Sequence, residues 1–208
     1  MPLDAGRAAL VRFAARIAGG TEEAMRAGAA ECVAAGTPTA WVEELLLQSY
    51  LFCGFPRTLN ATREWRRISG VAAPLPDVVS AADLARWRAD GERTCAIVYG
   101  EFFHKLRHNI QALHPELDEW MIVEGYGKIL SRPAMPLLER ELCIVAACVA
   151  SGQERQLHSH LHGSLNAGAD AALVRAVLES LDGVTPTDDR LKALLLLQRV
   201  LGKSSGRA

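Results

Sequence analysis

The stretch "VAACVASGQERQLHSH", residues 145–160, has a counterpart near the start of the chain, and the pair decides the fold. Shifted by 132 residues, it aligns with "FAARIAGGTEEAMRAG", residues 13–28, so that Gly20 matches Gly152. The correspondence continues without a gap well beyond both glycines. Self-similarity at one fixed offset indicates a structural unit that the chain uses twice.

Both copies predict the same order of helices. Apolar residues recur at helical spacing while alternating β-branched residues are scarce, so we predict an all-α fold. Each copy reads as a buried helix ended by glycine, an amphipathic helix ended by "AG", a capped third helix and a fourth. Thr39 or Asp170 can cap the third helix. One unit of about 64 residues encloses its own core poorly, so two units should pack together or across an oligomer interface.

The predicted domain organisation places a helical insert between the two copies. Residues 1–70 form the first helical repeat, which we interpret as a scaffold. Residues 71–98 form a linker or arm, because this stretch opens with the proline-bearing "VAAPLPD". Residues 99–208 form the second domain, which contains the second repeat.

Composition excludes several classes of protein. The 208 residues carry a formal net charge of -1 and no basic run, which argues against nucleic acid as a partner. The longest wholly apolar run, "LCIVAACVA", is far shorter than the roughly 20 residues that span a bilayer. The start of the chain lacks a hydrophobic signal core. We therefore predict a cytoplasmic protein that does not enter a membrane.

The five cysteines contain no CxxC pair and no zinc-finger spacing. Cys143 and Cys148 lie in the apolar run, which is typical of small buried thiols. His158 and His162 have the i, i+4 spacing of a zinc chelate, but His160 projects to the other side of the helix and a third ligand is missing. We predict no metal site and no cofactor.

The two copies share their core and differ in their polar residues. Gln153, Gln156 and His160 follow steps of three and four and thus share one helix face. We expect Glu141 in the first turn of the preceding helix, from which the glycine turn would bring it near His160. A carboxylate beside an imidazole at an apolar wall is suited to proton transfer. The alternative is structural: an interior histidine and a helix-dipole partner. In the first copy, the positions of Glu141, Gln153, Gln156 and His160 hold Ala9, Thr21, Ala24 and Gly28.

Two segments resemble the carboxymuconolactone decarboxylase family, which includes the alkylhydroperoxidase D-like proteins. The first, residues 115–180, contains "YGKILSRP", "ERELCIV" and "HLHGSLNAG"; the second is "ELLLQSYLFCGFPRTLNA", residues 44–61. The resemblance implies a helical fold of the alkylhydroperoxidase D-like type. It also implies homotrimers or homohexamers, with sites near the subunit contacts.

The resemblance also implies roles for the polar residues. In the peroxidase branch of the family, a glutamate, a CxxC pair and a histidine deliver protons to a thiol. Glu141 and His160 fall on the glutamate and histidine positions, whereas Gln153 and Gln156 replace the cysteines and remove the nucleophile. The decarboxylase branch also lacks the cysteines and keeps the histidine. It generally has a small polar residue in place of Glu141 and an acidic one in place of Gln156.

These observations favour a cofactor-free acid/base enzyme, a decarboxylase-like lyase acting on a small organic acid or lactone. His160 would transfer the proton, Glu141 would orient the imidazole, and Gln153 and Gln156 would hydrogen-bond the substrate. Further candidates for substrate contact are Tyr126 and Arg132, although either can serve a structural role. Two alternatives stay open: an alkylhydroperoxidase-like thiol oxidoreductase that uses Cys53, and a non-catalytic oligomeric binding protein.

Overall fold

The computed structural model describes residues 3–76 and 78–205, with side chains up to residue 202. Asp77, the last residue of the predicted "VAAPLPD" linker, lies outside the described residues, as do the outermost residues of the predicted first and last domains. Within the described ranges the chain forms helices and no strands, which confirms the all-α prediction. The α-helices are α1 (Ala5–Gly19), α2 (Glu22–Ala34), α3 (Thr39–Ser69), α4 (Ala81–Tyr99), α5 (Phe103–Leu113), α6 (Pro115–Trp120), α7 (Leu137–Ala150), α8 (Glu154–Asn166), α9 (Ala171–Ser180) and α10 (Thr187–Ser205).

The chain divides into two compact units. The larger unit combines residues 1–72 with 134–208, and the smaller unit is residues 73–133. The predicted end of the first repeat, at residue 70, lies close to the first boundary. The predicted segment 99–208 is shared between the two units.

The core of the larger unit lies between α1 and α7. Nearly every residue of α7 from Glu139 to Val149 is buried, and α1 is buried along most of its length. The two helices come so close that a Cβ atom on Gly19 would lie 2.5 Å from the carbonyl oxygen of Ala150. Around this pair, α2 and α3 pack on α1, while α8, α9 and α10 pack on α7.

Helix boundaries in the larger unit follow the offset seen in the sequence. The helices α1, α2 and α3 begin 132 residues before α7, α8 and α9. Gly36 and Gly168 follow the ends of α2 and α8, and both have positive φ. The later parts differ, since α3 continues to Ser69 through a break at Gly54 whereas α9 ends at Ser180. Descent of both halves from one repeated unit stays our interpretation of this correspondence.

One of the two predicted helix caps is present. The Asp170 side chain accepts a hydrogen bond of 2.7 Å from the Leu173 N–H and caps α9. Thr39 does not cap α3, and this alternative was wrong. The helix begins one residue earlier than expected, so Pro38 takes the capping position and Thr39 is already helical.

The smaller unit is built around the contact of α4 with a ten-residue π-helix, Met121–Leu130, which continues from α6. A Cβ atom on Gly91 would lie 2.0 Å from the Ile122 carbonyl oxygen, and one on Gly127 would lie 2.0 Å from that of Trp87. Glycine is therefore required at both positions. The sequence predicted helices in this region but not the π-helical geometry.

The described helices include none that is long and apolar enough to cross a membrane.

Candidate functional site

Glu141 and His160 meet in the interior of the larger unit. Gly152, with φ of 68°, turns the chain between α7 and α8, so the two helices lie side by side. The His160 Nδ1 atom lies 2.8 Å from Glu141 Oε2, and the two residues are 5% and 0% exposed. Because α7 begins at Leu137, Glu141 lies in its second turn rather than the first turn that we expected. The two side chains form a buried acid–imidazole pair.

This acid–imidazole pair leaves one carboxylate oxygen without a partner. Among the described residues, Glu141 Oε1 is buried and has no hydrogen bond. Protonation of the carboxyl would not satisfy it, because a buried O–H would then lack an acceptor. An unsatisfied buried polar atom costs about 1–3 kcal/mol. Native proteins accept such a cost where a ligand or an ordered water supplies the missing partner.

An aromatic ring from α3 forms part of the wall around the pair. The Phe52 ring centroid lies 5.7 Å from that of His160, with the rings at 83°. Two residues later, α3 breaks at Gly54, whose φ is 73°. Pro56 has no N–H to continue the helical hydrogen bonds across this break. The break in α3 thus occurs next to the imidazole.

Two thiols lie in the same neighbourhood. Burial raises the pKa of Cys148 to about 12, and the nearby groups Glu141 and Cys53 push it in the same direction. Burial also raises the pKa of the half-buried Cys53 to about 11, although Arg57 opposes this shift. Neither thiol is therefore held as a reactive thiolate at neutral pH.

Buried ion pairs fix the orientation of α7 on its other faces. Arg140, which is completely buried, donates a hydrogen bond of 2.8 Å to Glu44 of α3. Glu139 accepts two hydrogen bonds, of 2.8 and 2.6 Å, from Arg7 of α1. Because Arg140 pairs with α3 and Glu139 pairs with α1, Glu141 is oriented towards α8.

Sequence reasoning missed these anchoring residues. The available signal was the pair of charges just before Glu141, Glu139 and Arg140, inside the otherwise apolar "LLERELCIV", residues 137–145, since a charge on a buried helix requires a partner. It does not reveal which residues pair. Gln48 adds a further contact, because its amide N–H donates to the Arg140 carbonyl oxygen at 3.3 Å.

The structure places the other predicted substrate contacts away from the hydrogen bond of the pair. Gln153 occupies the residue before α8 without a side-chain capping bond and is half-buried, and Gln156 is exposed one turn before His160. Neither amide hydrogen-bonds to Glu141 or His160. Tyr126 and Arg132 belong to the smaller unit, where Tyr126 is buried with its ring 6.2 Å from that of Tyr99.

Metal-binding groups do not converge in the part of the chain that the structure describes. No cluster of three histidine, cysteine, aspartate or glutamate side chains there could hold a metal ion. His158 and His162 are half-buried, with ring centroids 5.0 Å apart.

The larger unit is thus a bundle of α-helices with a buried acid–imidazole pair between α7 and α8. Residues 115–198, which include both members of the pair, match the model of the carboxymuconolactone decarboxylase family. Over this segment the chain is similar to the carboxymuconolactone decarboxylase family.

Two curated relatives share the name Peroxisomal protein 2. The protein from Schizosaccharomyces pombe is 33% identical over 135 residues, which cover 62% of this chain and 61% of the relative. The protein from Saccharomyces cerevisiae is 23% identical over 165 residues, covering 67% of this chain and 58% of the relative. The matches thus span about three fifths of each relative's length.

Proposed function

We propose that Glu141 and His160 form the acid/base centre of a cofactor-free enzyme that acts on a small organic acid or lactone. The observation that carries this proposal is the buried hydrogen bond of 2.8 Å together with the unpartnered Glu141 Oε1. A pair retained only for packing would have both carboxylate oxygens satisfied, as Glu139 has.

In the proposed chemistry, His160 Nε2 takes one proton from the substrate and returns it to another atom. When the imidazole is neutral, its Nδ1–H donates to Glu141 Oε2 and leaves Nε2 as an acceptor that can take a substrate proton. The carboxylate then stabilises the imidazolium, which returns the proton to a carbanion-like carbon. Decarboxylation beside an enolisable centre needs such a proton donor and a cation for the developing charge.

The remaining predicted residues have proposed roles in substrate binding. Gln153 and Gln156 would hydrogen-bond the substrate from the helix, α8, that carries His160. Tyr126 and Arg132 are proposed on the sequence pattern alone, with Arg132 as a two-pronged donor to a carboxylate.

Hydrogen–deuterium exchange in D₂O tests the proton transfer directly, whatever the final product is. Small lactones and organic acids are screened by NMR for exchange at the carbon next to the carbonyl. General acid/base groups contribute about 10²–10⁴-fold, so His160→Gln and Glu141→Gln should each lower the exchange rate by about 100-fold or more. His158→Gln, on the same helix, is the matched control. Equal rates in all four proteins would contradict the proposal.

The two alternatives predict different outcomes. A thiol oxidoreductase would need Cys53 as a thiolate, and its raised pKa of about 11 counts against this. A non-catalytic binding protein would bind its ligand equally well after alanine replaces Glu141 and His160.

We also propose that the chain forms a homo-oligomer, a trimer or a hexamer, as its family resemblance implies. Large apolar side chains on its surface support this assembly, including Phe55, which is 64% exposed. Light scattering coupled to size-exclusion chromatography measures the mass directly, and a monomer would contradict the proposal.

We propose a cytoplasmic location for the chain. The name of the two relatives points instead to the peroxisome. Fluorescence of the tagged chain, compared with a peroxisomal marker, distinguishes the two compartments.

A further inference from the structure

The charge balance of the acid–imidazole pair limits what it can bind. Among the described residues, Glu141 forms its ion pair with His160, and its charge also raises the pKa of the nearby Cys148 thiol. Arg140 is next to it in sequence but donates to Glu44 and to the Met135 carbonyl oxygen. The cation paired directly with Glu141 is therefore His160, and only when its imidazole is protonated.

This balance disfavours an anion at the pair. With a neutral imidazole the pair carries one negative charge, and with an imidazolium it is neutral overall. In both protonation states of the imidazole, the pair has no net positive charge. The desolvation energy of a bound carboxylate would therefore not be offset. Burial of a charge without such a partner is strongly unfavourable. Glu141 Oε1 adds a buried acceptor that a carboxylate cannot satisfy, since it has no hydrogen to donate.

We infer that the group bound at Glu141 and His160 is a neutral hydrogen-bond donor, a hydroxyl or an enol O–H, next to an apolar moiety. The O–H donates to Glu141 Oε1, and the apolar moiety packs on Phe52, whose ring lies edge-on to His160. A substrate carboxylate, if present, is held outside the pair. This inference rests on the proposed function in taking the pair as the reacting site, and it favours lactones and hydroxylated or enolisable neutral compounds over simple acids.

Three aromatic probes of similar size test the preference on the full chain at pH 7.5. Phenol is a neutral donor, anisole lacks the donor, and benzoate is an anion. Dissociation constants are measured by ligand-observed NMR. A hydrogen bond to a charged group makes phenol bind at least about tenfold more tightly than anisole or benzoate.

Variants locate the binding. Glu141→Gln presents an amide N–H that can donate to an anion, so the advantage of phenol over benzoate should fall to less than about threefold. Phe52→Leu should weaken phenol and anisole together, because both lose the same ring contact. His158→Gln should leave all three dissociation constants unchanged.

Several results would overturn the inference. These are benzoate binding as tightly as phenol, no binding of any probe up to its solubility, or phenol binding that neither Glu141→Gln nor Phe52→Leu alters. Failure of the proposed function looks different: the exchange rates of the wild type and the His160 and Glu141 variants would be equal, whereas the preference for phenol would persist.

Discussion

Glu139 and Glu141 lie two residues apart on α7 and are 3% and 0% exposed, yet their replacement by glutamine should have very different effects on stability. Both Glu139 oxygens accept hydrogen bonds from Arg7, whose pKa is raised mainly by this contact despite the opposing effect of burial. Glu141 makes one hydrogen bond to His160, and its second oxygen has no partner among the described residues.

The magnitudes follow from these contacts. Glu139→Gln leaves the buried guanidinium of Arg7 with only the exposed Asp4, 3.7 Å away, as counter-ion. Because breaking a buried pair costs about 3–5 kcal/mol, the expected loss is at the lower end of that range. Glu141→Gln keeps an oxygen that accepts the His160 Nδ1–H. The amide nitrogen of the glutamine takes the place of the unpartnered Oε1 and is unpartnered as well. Each unsatisfied atom costs about 1–3 kcal/mol, so the wild type and the variant have nearly the same penalty. The expected change in the free energy of unfolding is below about 1 kcal/mol.

Urea unfolding followed by circular dichroism measures the free energy of unfolding of both variants under identical conditions. A linear extrapolation with an unchanged slope gives the difference in free energy. If Glu141→Gln destabilised the protein as much as Glu139→Gln, the carboxylate would be a structural element. The argument that its free oxygen is kept for a ligand would then fail.

Three further predictions concern other parts of the chain. Burial raises the pKa of Cys53 to about 11, so an aromatic disulfide reagent at pH 7.5 should modify Cys53 much more slowly than a free thiol, as followed by absorbance. Burial alone would raise the pKa of Glu31, but the hydrogen bonds from Arg12 and Arg16 outweigh it and lower the pKa. This group thus stabilises the fold above its unfolded pKa, and the contribution is lost as pH falls through the folded value; Glu31→Gln should flatten that part of the stability–pH curve. Gly127→Ala should disrupt the smaller unit, because the new Cβ would lie 2.0 Å from a backbone carbonyl oxygen, and amide exchange in residues 73–133 should accelerate.

Each of these three predictions has its own control. Modification of Cys53 after unfolding in urea gives the rate of the free thiol, and an equally fast native reaction would contradict the assigned burial. Glu23→Gln, on an exposed carboxylate of the same helix, should leave the pH dependence unchanged. Gly125→Ala is the counterpart for Gly127, since a Cβ there would come no closer than 4.0 Å to other atoms; comparable damage from both would refute the close-contact argument.

Local signals in the sequence were sufficient for the helical content and for the ends of α7 and α8, but they placed Glu141 one turn too close to the start of α7. Gly152 and the "AG" before residue 169 stop α7 and α8 through backbone preferences that act within a few residues. The prediction that Thr39 caps α3 was wrong because Pro38 also accommodates a helix start, and local chemistry does not decide between adjacent positions. The partners of Arg140 were not predictable, because Glu44 is 96 residues away and the pairing depends on how α3 packs on α7. The π-helix likewise reflects the close contact of Gly91 and Gly127 across two helices.

The position equivalent to His160 in the first half supports the proposal that the acid–imidazole pair serves more than packing. Offset by 132 residues, that position is Gly28, where a Cβ atom would lie 2.7 Å from the ring of Phe13. The counterpart of Phe13 is the smaller Val145, and both are fully buried. The first half thus fills its interior with hydrocarbon and has alanine where the second half has Glu141. Hydrocarbon suffices for packing between these helices, and burial of polar groups is unfavourable unless they are fully paired. A carboxylate and an imidazole that leave one oxygen unpaired are therefore not explained by packing alone, and proton transfer to a bound molecule is the role that we propose for them.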